Sequence, residues 1–272
     1  MSSTFIQPQT VPSDARPGEQ PAIAITTHDL CFSYPDSPPT LYNVSVQIEA
    51  GERVGIIGHN GCGKTTLFML LCGVLTPISG EVYLFGEPVQ PGQFRPEVGM
   101  LFQDPDDQLF SASVREDIAF GPQNMGFEEA EVEARVEAAL AMTGLERLAN
   151  RPPHHLSGGE KQMVAIAGLL AMQPRILLYD EPTANLDMRT RRRLIHFLQQ
   201  ASETLLISSH DLEFVLEVCD RVLLIDDGQV IADGDPREIM GDQALMEAHG
   251  LEKPHSLIPH SEPHHLKPDQ AS

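Results

Sequence analysis

Three features of the sequence predict an α/β fold: a mostly parallel sheet flanked by helices and interrupted by an inserted helical segment. Apolar strand-like runs alternate with helical periodicity through the second half of the chain. A glycine-rich loop, Gly58-His59-Asn60-Gly61-Cys62-Gly63-Lys64-Thr65, lies between a strand-like run and a helical one. Far downstream, the apolar run Ile176–Tyr179 is closed by the carboxylates Asp180 and Glu181.

Taken in order, residues 1–20 are rich in Ser, Pro, Gln and Thr and read as a disordered leader. Alternating apolar positions predict strands over Ala22–Leu30, Val44–Ile48 and Arg53–Ile57. The last enters the glycine loop, followed by a helix from Lys64 to about Cys72. Ser79-Gly80 and Gly86 bracket another strand, and Val98–Phe102 forms one more. A helical segment, about 104–165, then interrupts the pattern. Within it Phe127–Thr143 carries Val132, Val136, Ala139 and Leu140 on one face, pairs Glu131 with Arg135, and stops at Gly144. Ser157 followed by Glu160 is a capping box, and that helix runs to about Met172. Strand Ile176–Tyr179, helix Met188–Gln200, strand Thr204–Ser208, helix Leu212–Cys219 and strand Val222–Ile225 complete a domain spanning 21–242. Residues 243–272 read as a Pro/His-rich tail.

With 41% hydrophobic residues the 272-residue chain can build a full core. Its net charge of −21 argues against nucleic acid as a partner, which needs a basic surface. The cysteines Cys31, Cys62, Cys72 and Cys219 show no CxxC spacing, so neither a disulfide framework nor a zinc site is expected. The N-terminus lacks the apolar region of a signal peptide. The longest strongly apolar stretch, Val164–Met172, is short of the roughly 18 residues a bilayer span needs. Work at a membrane would therefore require another subunit to cross it.

The glycine loop has the composition of a phosphate cradle. Its backbone N–H groups can converge on phosphates at a helix N-terminus, Lys64 can neutralise their charge, and the Thr65 hydroxyl can ligate Mg²⁺. Asp180, at the end of an apolar strand, emerges where it too can hold Mg²⁺. Ser157-Gly158-Gly159 opens a helix with bare N–H groups and a hydroxyl, a second place suited to an anion. A capping box alone accounts for Ser157 and Glu160 as local stability, but not for the two glycines, which weaken a first turn.

The phosphate loop, Leu156-Ser157-Gly158-Gly159-Glu160-Lys161-Gln162 and Asp180-Glu181, in that order, resemble the ATP-binding-cassette ATPases of the P-loop NTPase class, from about residue 23 to about 240. The resemblance implies an antiparallel N-terminal β subdomain, ATP and Mg²⁺ as ligands, and a set of roles. Residues Gly58 to Thr66 surround the phosphates. Glu181 is the general base and His210 the switch histidine near the γ-phosphate. Gln103 touches Mg²⁺ and senses the membrane partner. Tyr34 stacks on adenine, a use as suited to its face as a plain core position is. The signature Ser157, Gly158 and Gly159, with Gln162, reaches ATP bound by another ATPase subunit in a head-to-tail dimer, and Asp187 lies at the crossing.

The run Phe102-Gln103-Asp104-Pro105-Asp106-Asp107-Gln108-Leu109-Phe110, with Glu116-Asp117-Ile118-Ala119-Phe120-Gly121-Pro122, is similar to the ATPases of energy-coupling-factor importers, nearest the cobalt/nickel branch. That implies an integral-membrane coupling subunit, a substrate-binding membrane subunit, a homodimer or heterodimer of ATPases, and a peripheral place on the cytoplasmic face of the membrane. A vitamin importer is the alternative cargo class. Cassette ATPases of DNA repair or translation carry long coiled-coil insertions or tandem cassettes, which this chain lacks. Met163, Tyr179 and Ala184-Asn185 depart from the family's usual residues without removing a ligand. Cys62 in the loop raises the expectation that alkylation blocks ATPase and that ATP protects. Five histidines, His249, His255, His260, His264 and His265, fall in the tail, where composition alone licenses no metal site.

Overall fold

The structure, a computed structural model, describes residues 22–184 and 186–258. It opens with β1 (Ile23–Phe32) and β2 (Leu41–Glu49), antiparallel neighbours with Leu30 opposite Val44. β3 (Arg53–Ile57) leads through the glycine loop into α1 (Lys64–Leu71). β4 (Ser79–Leu84) returns to β1, and the short β5 (Glu87–Pro88) pairs with β4. The result is an antiparallel sheet of order β2-β1-β4-β5, the N-terminal subdomain the resemblance implies.

β6 (Val98–Leu101), α2 (Val114–Asn124), α3 (Glu129–Thr143), α4 (Gly158–Met172), β7 (Ile176–Asp180), α5 (Met188–Gln199), β8 (Thr204–Ser208), α6 (Leu212–Val218), β9 (Arg221–Asp226) and β10 (Gln229–Gly234) follow. They complete a second sheet of order β10-β9-β3-β8-β7-β6, parallel from β9 to β6 and closed by the antiparallel β9–β10 hairpin. Strands β7 and β8 are buried along their whole length, which is why they read as continuous apolar runs. On β7, Ile176 and Leu178 pack toward α1 and the antiparallel sheet, while Leu177 and Tyr179 pack toward the helices. Each such fully buried aliphatic side chain contributes about 1.5–3 kcal/mol.

The inserted helices pack as the periodicity of α3 requires: Val132, Val136, Ala139 and Leu140 are all buried. Arg135 bonds Glu131 at 2.7 Å and lies 4.0 Å from the centre of the Phe127 ring. Gly144 ends the helix in the left-handed region, φ 68°. Helix α2 is not legible as a separate element, because Gly121 and Pro122 argue against it. It stands because Val114, Ile118 and Ala119 are buried and the Ser113 side chain accepts the Glu116 N–H. The expected end of the insertion near 165 falls inside α4, which continues unbroken to Met172.

A second correction concerns the tail expected from residue 243. α7 (Pro236–Gly241) and α8 (Gln243–Ala248) bury Met240 and Met246 completely. Lys253 Nζ donates to the Gly241 carbonyl at 2.6 Å, and the Ser256 N–H to Glu213 at 3.0 Å. Helices of six residues show no periodicity and exist through packing, not propensity. The predicted leader and His260, His264 and His265 lie outside the described residues.

Candidate functional site

The glycine loop after β3 forms the floor of a cavity of about 790 Å³ at the edge where the parallel strands end. A cavity of that size suits a small-molecule ligand. Glycine is required at position 58: at φ 153° a Cβ there would lie 2.1 Å from the Ile225 carbonyl oxygen. Lys64 is nearly buried, and its ammonium donates to the carbonyls of Gly58 (2.8 Å) and His59 (3.0 Å). The loop thus holds one cation at the centre of the cavity floor.

Two carboxylates line the same cavity. Asp180 is 2% exposed; its Oδ2 accepts the Thr65 hydroxyl at 2.6 Å and its Oδ1 accepts the Ser208 hydroxyl. A buried carboxylate bonded by hydroxyls makes an oxygen-donor set of the kind that suits Mg²⁺. Glu181 is 5% exposed, with Oε2 2.7 Å from His210 Nδ1 and 3.2 Å from the His210 backbone N. Its φ of 49° is unusual for a residue with a side chain, and its N–H is anchored on the Ser208 carbonyl at 3.0 Å. Ser208 therefore positions both carboxylates. Sequence reasoning did not assign it a role, although it ends a predicted strand.

Other residues of the loop and its neighbours complete the wall. Tyr34 lines the cavity, its hydroxyl 3.2 Å from Thr66 Oγ1 and its ring edge-to-face with Phe32 at 4.9 Å. Asn60, Gly61, Gly63 and Gln103 also line it. His59 lines the cavity, but its ring turns to the β9–β10 hairpin, with Nε2 2.8 Å from Asp226 Oδ1. Cys62 is 2% exposed and packs into the core beneath the loop. Burial pushes its thiol above the usual range, against a lesser lowering by Lys64. Ready alkylation of Cys62 is therefore no longer the expectation.

The cavity does not take in Ser157, Gly158, Gly159, Gln162 or Asp187. Ser157 and Gly158 are exposed on another face, and both bonds of the capping box are made. The Glu160 carboxyl is held below its ordinary range by the Ser157 backbone N–H and then its hydroxyl. Asp187 caps α5, accepting from the N–H groups of Arg189 (2.8 Å) and Thr190 (3.0 Å), with the Thr190 bonds first among those that hold its carboxyl low. Gln162 is 2% exposed, and among the described residues its Nε2 has no partner. Asn185 lies outside the described residues; Met163 and Tyr179 are core.

Cross-links that no motif announces join these faces. Lys161 of α4 pairs with Asp106, in the turn after Gln103, at 2.6 Å. Arg191 of α5 pairs at 2.9 Å with Asp211, next to His210. Gln108 accepts from the Phe102 N–H at 2.9 Å and donates to the Met100 carbonyl at 3.1 Å, shaping the loop that carries Gln103.

The chain is similar to known proteins. The family model described as ABC transporter matches residues 41–184. A Synechocystis sp. protein named as an ABC transporter ATP-binding protein is 63% identical over 234 residues, covering 86% of this chain and 82% of the relative. The energy-coupling factor transporter ATP-binding protein of Methanothermobacter thermautotrophicus is 48% identical, over 85% and 76% of the two chains. The solved structure of cbiO1 from Clostridium perfringens, described as part of the ABC transporter complex cbiONQ, superposes with a TM-score of 0.74 at 37% identity. It covers 84% of this chain and 94% of that one.

Proposed function

The chain belongs to the ABC transporter family as a subunit that binds and hydrolyses ATP, and on that premise we propose that it drives an energy-coupling-factor importer of Co²⁺ or Ni²⁺. The observation that carries the importer reading is an exposed aromatic pair beyond Gln103, Phe110 from the loop and Phe120 from α2. Phe110 and Phe120 stand edge-to-face with centroids 4.7 Å apart and are 66% and 48% exposed. Two adjacent large rings left in solvent suit a docking place for a partner. The partner we place there is the integral-membrane coupling subunit that the similarity of the run 102–122 to energy-coupling-factor ATPases implies; among the described residues no helix is long and apolar enough to cross a membrane. The protein then works as a peripheral subunit on the cytoplasmic face.

The chemistry follows from the cavity. Thr65, Asp180 and Gln103 would hold Mg²⁺, which would neutralise phosphate charge. Lys64 and the loop N–H groups bind the phosphates, and Tyr34 offers its exposed face to adenine. Glu181 accepts the proton of the attacking water, and the His210 ring keeps its carboxylate oriented. Ser157, Gly158 and Gly159 stand away from this cavity and serve the site of a second ATPase copy in a head-to-tail homodimer. In support, a Cβ at Gly158 would meet nothing within 4 Å, so packing in this chain does not explain that glycine.

The cargo reading leans on the cobalt/nickel-like run 102–122 and on the likeness to cbiO1. The relative named for the energy-coupling factor favours a second reading, a vitamin importer sharing this ATPase. The test is accumulation of Ni²⁺ and Co²⁺ in cells carrying this protein with its membrane subunits, against Glu181→Gln. Uptake lost in the mutant supports the metal importer; equal accumulation in both overturns the cargo and sends the test to vitamins.

A further inference from the structure

A cluster beside the phosphate loop, separate from Asp180 and Glu181, has the chemistry of a metal site. His59 Nδ1 lies 2.8 Å from the Asn60 carbonyl oxygen. A carbonyl only accepts, so this contact is a hydrogen bond when Nδ1 carries a proton, as it does in the imidazolium and in one neutral tautomer. In that neutral tautomer the lone pair is on Nε2, which lies 2.8 Å from Asp226 Oδ1, itself only an acceptor. Two lone-pair atoms at that distance repel unless positive charge sits between them, either a second proton or a metal cation. An Nδ1–H bonded to a backbone carbonyl, with Nε2 turned to the ion, is how metal-ligating histidines are held.

Asp227 brings a second carboxylate. The ligand atoms of His59, Asp226 and Asp227 all lie within 4.8 Å of one another. Metal–ligand bonds of about 2.0–2.2 Å need donors roughly 3 Å apart. The His59–Asp226 pair already has that spacing, and Asp227 is exposed. The second oxygen of Asp226 lies 2.6 Å from His249 Nδ1, so this carboxylate has the outer hydrogen bond that orients a ligand. Among the described residues neither aspartate is paired with a lysine or arginine that would compete for it.

We propose that His59, Asp226 and Asp227 bind a divalent transition-metal ion, with His249 supporting Asp226. One imidazole and two carboxylates suit Zn²⁺, Ni²⁺ or Co²⁺; Mg²⁺ and Ca²⁺ favour all-oxygen sets. The His59 carbonyl also holds Lys64, and His59 and Asp227 line the nucleotide cavity. An ion here therefore ties the phosphate loop to the β9–β10 hairpin and, through His249, to the C-terminal segment. The site stands on these residues whatever the transporter carries.

The experiment is Co²⁺ titration of the purified full-length protein, without nucleotide and in excess Mg²⁺, followed by the visible absorption of bound Co²⁺. A single ion is expected per chain. Asp227→Asn, at an exposed position, should weaken it by about tenfold or more, and His59→Gln likewise. The triple change His260→Gln, His264→Gln, His265→Gln and the single change Asp180→Asn should leave the affinity as it was. The proposal is overturned if the full chain gives no Co²⁺ absorption, or if Asp227→Asn and His59→Gln do not weaken it. It is equally overturned if the tail triple or Asp180→Asn abolishes the absorption, since the ion then belongs to the tail or to the nucleotide site.

Discussion

The Thr65 hydroxyl donates to Asp180 Oδ2 at 2.6 Å, joining the first turn of α1 to the end of β7 across 115 residues of chain. The two motifs that suggest phosphate chemistry separately are thus one device. The parallel register places Ser208 of β8 opposite Asp180, which gives the carboxylate its second hydroxyl and Glu181 its backbone anchor.

Removing the base while keeping the shape should separate binding from turnover. Glu181→Gln is expected to slow ATP hydrolysis by about 10²–10⁴-fold, the usual range for a lost general base. Nucleotide affinity should stay within a few fold, since Lys64 and the loop are untouched. Phosphate release and titration with a fluorescent ATP analogue check the two halves; loss of affinity comparable to loss of turnover would contradict the role.

Gly58→Ala tests the close approach of the loop to β9. With the new Cβ 2.1 Å from a backbone oxygen, the loop or the strand end must move. The expected cost is about 2 kcal/mol or more, with nucleotide binding weakened in parallel. Denaturant melts of the two proteins measure it, and an unchanged midpoint would show the approach to be softer than the geometry implies.

The Lys161–Asp106 pair should matter for coupling and not for stability. Its aspartate side chain is 63% exposed, and exposed pairs are worth about 0–1 kcal/mol. Lys161→Met is therefore expected to shift stability by less than about 0.5 kcal/mol. It should nevertheless reduce stimulation of the ATPase by the membrane subunit, because the pair ties the signature helix to the loop after Gln103. Basal and stimulated hydrolysis in the reconstituted complex check this; equal stimulation would dismiss it.

Thiol labelling should follow burial. Cys31 is half-buried, whereas Cys62 is buried with its thiol pushed up. A raised thiol pKa means less thiolate at neutral pH, and the thiolate is the reactive form. Maleimide should modify Cys31 first, and labelling of Cys62 should increase as pH rises toward its titration. Peptide mapping at two pH values reads this out; Cys62 labelling as fast as Cys31 at neutral pH would refute it.

Local pattern reached much of the architecture, because buried strands and capped helices carry their signals in neighbouring residues. Strands β3 and β8 are where the apolar runs put them, and the Ser157 box caps α4 as its spacing requires. Helix α2 was illegible because its propensity opposes its conformation and only packing decides between them. α7 and α8 were illegible because six residues hold less than two turns of periodicity. The β10 strand, QVIADG, leaves every second residue exposed at the sheet edge and carries too little apolar signal to stand out.

By itself the sequence determined the chemical kinds and their order: a glycine loop with lysine and threonine, a glycine-opened helix, and paired carboxylates closing an apolar strand. Those are local facts, set by which backbone conformations and charges neighbouring residues allow. Only the tertiary structure decided the partners. It joined Thr65 to Asp180, seated both carboxylates on Ser208, turned His59 toward Asp226 and His249, and buried the Cys62 side chain. Such contacts depend on sheet order and register, which bring residues far apart in the chain within bonding distance and leave no trace in local spacing.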